Sequence, residues 1–242
     1  NPGSEGSLAS SSITGASLVS NSGLGGNGDS DFYLCELNND VPQAWNPYYS
    51  GWNKVNSASP SGVSFHHPSG DIKKVSTYNS PLVSDSWGGG GQTHWLVTWS
   101  STSNGHGVTE GGSSGSPIFD NNGFLVGKLT GGSSYCSTPT APDLYGKFSY
   151  SWESCGGAST KQLKPWLDPS NSGVNTLNGA NNPCAGGPTA VNEWMTHELV
   201  VFPNPTNGIF TVSSAYSITH LEVINSLGQI VYRADGLQSR QI

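Results

Sequence analysis

An all-β chain is the fold class this sequence predicts, and three observations carry the prediction. Short apolar or alternating segments are separated by turn signals roughly every 8 to 12 residues, the punctuation of a barrel or a sandwich. Glycine is abundant, at 33 of 242 residues, while only 10% of residues are charged, a composition that suits an extracellular β protein. Helical spacing of apolar residues is confined to one short stretch, Lys161 to Leu167.

Residues 1 to 30 are rich in Ser, Gly and Asn, with a weak alternation from Ile13 to Val19 that reads as an edge strand followed by a loop. Asp31 to Leu37 is expected to be a strand with Phe32 and Leu34 inward, ending at the Asn38-Asn39-Asp40 turn. A short strand is expected at Gly51-Trp52, and another from Val63 to His67, where Pro68 stops it. Thr93 to Trp99 alternates so that Trp95, Val97 and Trp99 share one face, after a Gly88 to Gly91 run that must be loop. Ile118-Phe119 and Phe124 to Leu129 form a hairpin around Asn121-Asn122-Gly123, and Leu144 to Trp152 reads as the next strand. The Lys161 to Leu167 helix closes a first domain, residues 1–179. A linker, 180–195, contains Asn181-Asn182-Pro183-Cys184 and Gly186-Gly187-Pro188, and a second β unit, 196–242, alternates from Val200 to Val212 and from Leu221 to Tyr232 with a turn at Leu227-Gly228. No segment repeats with a 20 to 50 residue period, which excludes a solenoid or propeller.

The net charge of −7 and the absence of any basic patch argue against nucleic-acid and anionic-membrane partners. No run of 18 apolar residues predicts a membrane span, and Asn1 to Ser7 lack the charged-then-apolar build of a signal peptide. The four cysteines, Cys35, Cys136, Cys155 and Cys184, fit no zinc spacing, so no metal or cofactor is expected, and disulfides or buried thiols remain. Three connectivities are open; a Cys136–Cys155 link would close a loop around the substrate region assigned below, worth about 3 kcal/mol.

The chemistry concentrates in Gly111-Gly112-Ser113-Ser114-Gly115-Ser116-Pro117-Ile118-Phe119. Glycines on both sides of Ser114 permit positive φ and bring main-chain N–H groups close to its hydroxyl, the geometry an oxyanion hole requires. Around this turn lie Ser30-Asp31-Phe32-Tyr33-Leu34-Cys35-Glu36-Leu37, Asn46-Pro47-Tyr48-Tyr49-Ser50-Gly51-Trp52, His66-His67-Pro68-Ser69-Gly70-Asp71 and Trp166-Leu167-Asp168-Pro169. Together these make the segment from about Asp31 to Gly179 resemble the later part of a bacterial lysyl-endopeptidase-type serine protease, a secreted branch of the trypsin-like double β-barrel class. The resemblance implies an incomplete first barrel and a complete second one. Val200-Val201-Phe202-Pro203-Asn204-Pro205-Thr206-Asn207-Gly208 and Asn225-Ser226-Leu227-Gly228-Gln229 resemble the type IX secretion sorting domain of Bacteroidota, which implies a partial immunoglobulin-like sandwich, a secreted or cell-surface location, and the secretion machinery as a partner.

A serine hydroxyl needs a base to take its proton and a buried acid to orient that base. By the resemblance Ser114 is the nucleophile, Asp31 the acid, and the N–H groups of Gly112 and Ser114 the oxyanion donors. The family order is His, Asp, Ser, and no histidine precedes Asp31, so the base is expected upstream of residue 1 and the chain is expected to be an inactive fragment. The rival order, with His66 or His67 as base, lacks its usual surroundings, and His94, His106, His197 and His220 are expected to face solvent or bond locally. Trypsin places an acid six residues before its nucleophile, but here that position is Val108. The resemblance instead assigns lysine preference to Asp143, with Thr109, Glu110, Trp87, Gly131 and Gly132 as substrate-binding neighbours. The family histidine is replaced by Thr130. Protein or peptide substrates follow; the competing readings are an inactive homologue acting as a surface-binding module and a different hydrolase using the same serine turn.

Overall fold

The computed structural model describes residues 11–23, 27–181, 200–202, 211–224 and 230–241, and the chain divides into two compact units, Asn1–Ala185 and Gly186–Ile242. The first is built on one sheet whose strands run in the spatial order Lys74–Tyr78, Gly62–His66, Pro117–Asp120, Leu125–Gly132, Asp143–Lys147, His94–Val97 and Val83–Asp85. Two short strands branch from it: Trp52–Asn53 runs parallel beside Leu125 and pairs in turn with Thr176–Leu177. The sheet curls back on itself, because the N–H of Ser100, just past the His94–Val97 strand, donates to the carbonyl of Thr77 at 2.7 Å. Ala16–Asn21 and Tyr33–Leu37 form a separate antiparallel pair.

Strand alternation sorts the side chains. Tyr78, Trp95, Val97, Trp99, Ile118, Val126, Leu129 and Tyr145 all point into the curl and form the main core, with Trp99 packed edge-on to both Tyr78 and Tyr145. A second core of Phe32, Trp52, Phe148, Trp152 and Leu163 lies under the covering segments, with the Trp52 and Trp152 rings 4.8 Å apart. The 117–132 hairpin turns where expected, the Asp120 carboxylate accepting the N–H groups of Asn122 and Phe124.

The expected Leu144 to Trp152 strand is corrected: the strand is Asp143–Lys147, and a helix follows at Phe148–Glu153. Its buried residues, Phe148, Ser151 and Trp152, have the spacing of one helix face, and burying both aromatic rings on the second core outweighs their strand preference. The expected 161–167 helix divides into a tight turn at Ser159–Lys161 and one α turn at Lys164–Leu167, with Pro165 in its first turn where no N–H is needed. In the second unit Val200–Phe202, Thr211–Ile224 and Ile230–Gln241 form one antiparallel sheet. The first two residues of the expected linker, Ala180–Asn181, instead pair as a strand with Tyr48–Tyr49, while the rest of the linker and the expected Leu227-Gly228 turn lie outside the described residues. Among the described residues no helix is long and apolar enough to cross a membrane.

Candidate active site

The turn from Glu110 to Pro117 leaves the sheet surface and returns to it. Gly112 and Gly115 take φ of 93° and 82°, values that a side chain would strain. Gly112 also lies close to the neighbouring 67–70 loop, where an added Cβ would approach the N–H of Ser69 to 3.2 Å. Beyond the turn, the N–H of Gly115 donates to Leu129 O and that of Leu129 to Ser116 O, at 2.7 and 2.9 Å. Ser113 points inward and is buried, while Ser114 is exposed. The N–H groups of Gly112 and Ser114 make no hydrogen bond among the described residues.

Ser114 opens on a cavity of about 180 Å³ whose walls include Trp87, Thr109, Glu110, Gly131, Gly132 and Asp143. Asp143 is fully buried at the start of its strand. Its Oδ2 accepts from Trp99 Nε1, Thr109 Oγ1 and Ser134 Oγ, each at 2.6 Å, and its Oδ1 accepts only the N–H of Ser134 at 3.1 Å. No cation pairs with this carboxylate among the described residues. A carboxylate offers about four lone-pair sites, so the unused capacity is on Oδ1. That oxygen faces Gly132, where an added Cβ would come within 2.0 Å of it, and a Cβ on Gly131 would meet the Trp87 ring at 2.7 Å. Two glycines in succession thus keep the cavity open between Trp87 and Asp143. Val108, buried, lines a different cavity, with Asp71 and His106.

Asp31 lies against the Leu125–Gly132 strand, where Thr130 bonds its carboxylate. Its φ is 53°, and its N–H donates to Asp29 Oδ1 at 2.7 Å, the local bond by which Asp and Asn stabilise such turns. The segment can lie on the sheet because residue 146 is glycine: a Cβ there would sit 1.8 Å from the carbonyl oxygen of Ser30. Burial raises the Asp31 pKa, opposed by a hydrogen bond from Thr130 and by the charge of Lys128. Thr130 is the extra residue of a bulge, since Leu129 pairs with Tyr145 and Gly131 already with Leu144. A bulge re-aims a side chain, and Thr130 thereby meets both Asp31 and His94, whose Nε2 lies 2.9 Å from its hydroxyl.

Comparison with known proteins follows the same geography. Residues 3–146 match the family described as lysyl endopeptidase, C-terminal domain. The chain belongs to that family. Residues 200–242 match a secretion system C-terminal sorting domain. A lysyl endopeptidase of Pseudomonas aeruginosa is 37% identical over 129 residues, covering 49% of this chain and 26% of the relative. The chain therefore spans about a quarter of the length of that relative. The sorting domain and the family together make this a secreted or cell-surface protein.

Among the histidines expected to face solvent or bond locally, His94 is buried, which was not expected, whereas His106 does bond locally, to the carbonyl of Gly107. His94 does not face solvent: it is fully buried, bonded to Thr93 and Thr130, and burial lowers its pKa to about 4. It lies on the strand face opposite Trp95 and Val97, and the Gly28 to Phe32 segment that covers this face is far away in sequence. Its only sequence signal was its place within an apolar alternation. His66 is buried between Ser113 and Ser76, His67 bonds the carbonyl of Asp71, His106 bonds that of Gly107, and His220 pairs with Asp235 in the other unit; His197 lies outside the described residues. Lys128, unnoticed in the sequence, has its pKa lowered to about 7 by burial, partly restored by Cys155, Asp31 and Asp29.

The Cys136–Cys155 link is also corrected, because both thiols are free, as is that of Cys35. Cys136 is exposed and its N–H donates to Glu110 Oε1 at 3.0 Å, whereas Cys155 lies against the buried Ser30 hydroxyl. Glu110 holds its loop by hydrogen bonds where a covalent link was expected, accepting also from Ser69 Oγ at 3.3 Å, and these bonds keep its carboxyl below its usual pKa. Cys184 lies outside the described residues. Among those residues no group of His, Cys, Asp and Glu has the arrangement of a metal centre.

Proposed function

We propose that this chain carries the nucleophile, oxyanion donors and specificity pocket of a secreted serine endopeptidase that cleaves after lysine. The observation that carries the reading is the Ser114 hydroxyl opening on a cavity that contains a buried carboxylate, Asp143, with spare acceptor capacity and no cation beside it. A lysyl side chain entering past Gly131 and Gly132 brings its ammonium to Oδ1 of Asp143. An apolar side chain leaves that charge unmatched, and sites of this kind reject the wrong partner by about 10⁴-fold.

With lysine seated, Ser114 Oγ adds to the scissile carbonyl carbon while its proton passes to a histidine. The carbonyl oxygen becomes an oxyanion held by the N–H groups of Gly112 and Ser114. As the C–N bond breaks, the imidazolium returns the proton to the departing amine, leaving an ester on Ser114. Water then attacks the ester by the same steps, releasing the lysyl carboxylate. The family order places the base ahead of Asp31 in the chain, so in this reading it comes from a segment that precedes these residues, and Asp31 orients it and balances its charge. The chain alone is then inactive, as loss of the base from such a triad costs on the order of a millionfold.

The test compares lysyl and phenylalanyl amides with the full-length protein. Strong lysyl preference, lost in Asp143→Asn, is expected; equal rates on the two substrates would overturn the reading. A fluorophosphonate probe should label Ser114 in the full-length protein but not in this chain alone, and labelling of the isolated chain would place a base within it.

A further inference from the structure

Ser114 is exposed and makes few contacts of its own, but its neighbour Ser113 is locked. Ser113 Oγ donates to the carbonyl oxygen of Thr109, so it has no proton left for the imidazole nitrogen of His66 that lies 3.1 Å away. That nitrogen, Nδ1, must be the one that carries hydrogen. The other nitrogen, Nε2, is then an acceptor, and the Ser76 hydroxyl at 2.8 Å must donate to it. The partners thus assign one direction to the whole array, from Ser76 through His66 and Ser113 to Thr109. Ser76, His66 and Ser113 are all buried, at 0%, 2% and 2% exposure. Ser76 and His66 come from two adjacent strands, Lys74–Tyr78 and Gly62–His66, of the curled sheet.

We propose that His66 is a positioning residue for the oxyanion turn, tying the backbone between Thr109 and Ser114 to the sheet so that the N–H groups of Gly112 and Ser114 remain available to the substrate. The inference rests on the reading of Ser114 as nucleophile and goes beyond it, since His66 touches neither substrate nor reacting atoms. The turn needs such a tie. Its residues include two left-handed glycines and Glu110 at a φ of 48°, and a peptide with that freedom holds two N–H groups in one direction only if something fixes it. Within the turn the Ser113 N–H to Glu110 carbonyl contact, at 3.4 Å, and the Ser116 N–H to Ser113 carbonyl bond, at 3.0 Å, restrain it. Its two ends are tied outward by Ser69 N–H to the Gly111 carbonyl and Gly115 N–H to the Leu129 carbonyl, both at 2.7 Å, which leaves the stretch between them to be fixed. The array fixes the middle of the turn through the buried Ser113 side chain, whereas the exposed Glu110 carboxylate, accepting from Cys136 N–H and Ser69 Oγ, anchors its start. Burial is the main cause that keeps the His66 ring neutral, with a pKa of about 4; the field of Asp143 opposes it and that of His67 adds to it.

The experiment uses the full-length protein labelled with ¹⁵N-histidine. At pH 6 the His66 ring should give the signature of a neutral imidazole protonated at Nδ1; a ring protonated at Nε2, or charged, overturns the array whatever the enzyme does. His66→Phe should then lower kcat per titrated active site by about 10- to 100-fold, somewhat less than outright removal of an oxyanion donor, with KM changed little. His66→Asn, whose amide nitrogen can replace Nδ1 as donor to Ser113, should recover most of the loss. A His66→Phe protein that folds and keeps wild-type kcat overturns the proposal, and if that variant does not fold, Ser113→Ala makes the same comparison. Ser114→Ala separates the two claims: if it retains activity the nucleophile reading fails, whereas if it is dead while His66→Phe and Ser113→Ala are fully active, only the positioning role fails.

Discussion

Two buried polar clusters flank the Thr109 backbone, and they differ in what they leave unfinished. On one side Ser76, His66 and Ser113 form a neutral array in which every donor has an acceptor and the last acceptor is the Thr109 carbonyl. On the other, Asp143 gathers Trp99, Thr109 and Ser134 onto one oxygen and keeps the second oxygen nearly bare. Thr109 belongs to both, through its carbonyl to the first and its hydroxyl to the second. A closed neutral cluster can only hold a shape. A charged cluster with spare capacity can also bind, and this is why the cavity in front of Asp143 invites a cation while the volume around His66 invites nothing.

The largest effect expected from breaking this contrast is at Asp143. Asp143→Leu strands the Trp99 indole N–H and one of the Thr109 and Ser134 hydroxyls, which lie 3.2 Å apart and can satisfy one proton between them, at about 1–3 kcal/mol for each unsatisfied group. Denaturant unfolding of the first unit should therefore show a loss of at least ~2 kcal/mol, if the groups act independently. A milder change, Asp143→Asn, preserves most of the fold and removes the charge, so stability and lysine preference should separate between the two variants. A Leu variant as stable as the parent would mean that these three donors find other acceptors.

Acid should distinguish the clusters in a second way. The folded pKa values of His66 and His94, about 4, lie below the value of 6.5 for a free imidazole. Between those values the unfolded chain binds more protons than the folded one, so stability is fully present above pH 6.5 and falls as pH drops towards 4. Each ring contributes about 3 kcal/mol to that loss. Asp31 acts in the opposite direction, its raised pKa letting the folded state take up a proton before the unfolded one. Melting temperatures recorded across this range should fall less steeply in His66→Asn, which cannot titrate, than in the parent. An unchanged slope would show that His66 is not a buried neutral ring.

How far the sequence revealed these clusters depends on how local each interaction is. Alternation of Trp95, Val97 and Trp99 located one strand and its inward face, because period two is written in consecutive residues. The Ser114 turn was legible for the same reason, since its glycines stand within three residues of the serine. Thr130 was not legible: its two-sided reach arises from a bulge, and the bulge exists only once Leu129–Gly131 has been paired with Leu144–Tyr145. His66 was visible as the first histidine of His66-His67-Pro68, but the acceptor that assigns its proton is a backbone carbonyl at Thr109, more than forty residues on. Phe148–Glu153 misled in the opposite sense, because its aromatic residues prefer strands and only the shape of the second core selects a helix. Asp143 was singled out through family likeness alone; the convergence of four donors on its carboxylate was not legible, because Trp99, Thr109 and Ser134 meet there only in the folded chain.

Thr109 offers a finer cut, since its hydroxyl and carbonyl serve different clusters. Thr109→Val removes one donor from the Asp143 carboxylate and leaves the carbonyl to Ser113 untouched. A hydrogen bond to a charged group is worth about 1.5–3 kcal/mol. The variant should lose roughly that much stability and some lysine preference, while kcat on a good lysyl substrate falls much less than in His66→Phe. Equal kcat losses in the two variants would mean that the clusters are one mechanical unit rather than two.

The smallest effect is expected at Cys136, on the loop that also carries Ser134 towards Asp143. A disulfide there would have tied that loop covalently, and its removal would cost about 3 kcal/mol. The loop is held instead by the Glu110 carboxylate, which receives the backbone N–H of Cys136. That bond does not depend on the side chain, so Cys136→Ser keeps it. Stability should change by no more than about 0.5 kcal/mol, as for other exposed surface substitutions, and reducing agent should leave the parent's melting temperature where it was. Glu110→Gln is the informative partner: it keeps an acceptor for the N–H but removes the charge, and should loosen the loop more than Cys136→Ser does. If the cysteine variant proves the more damaging of the two, a thiol rather than a carboxylate secures this side of the Asp143 cluster.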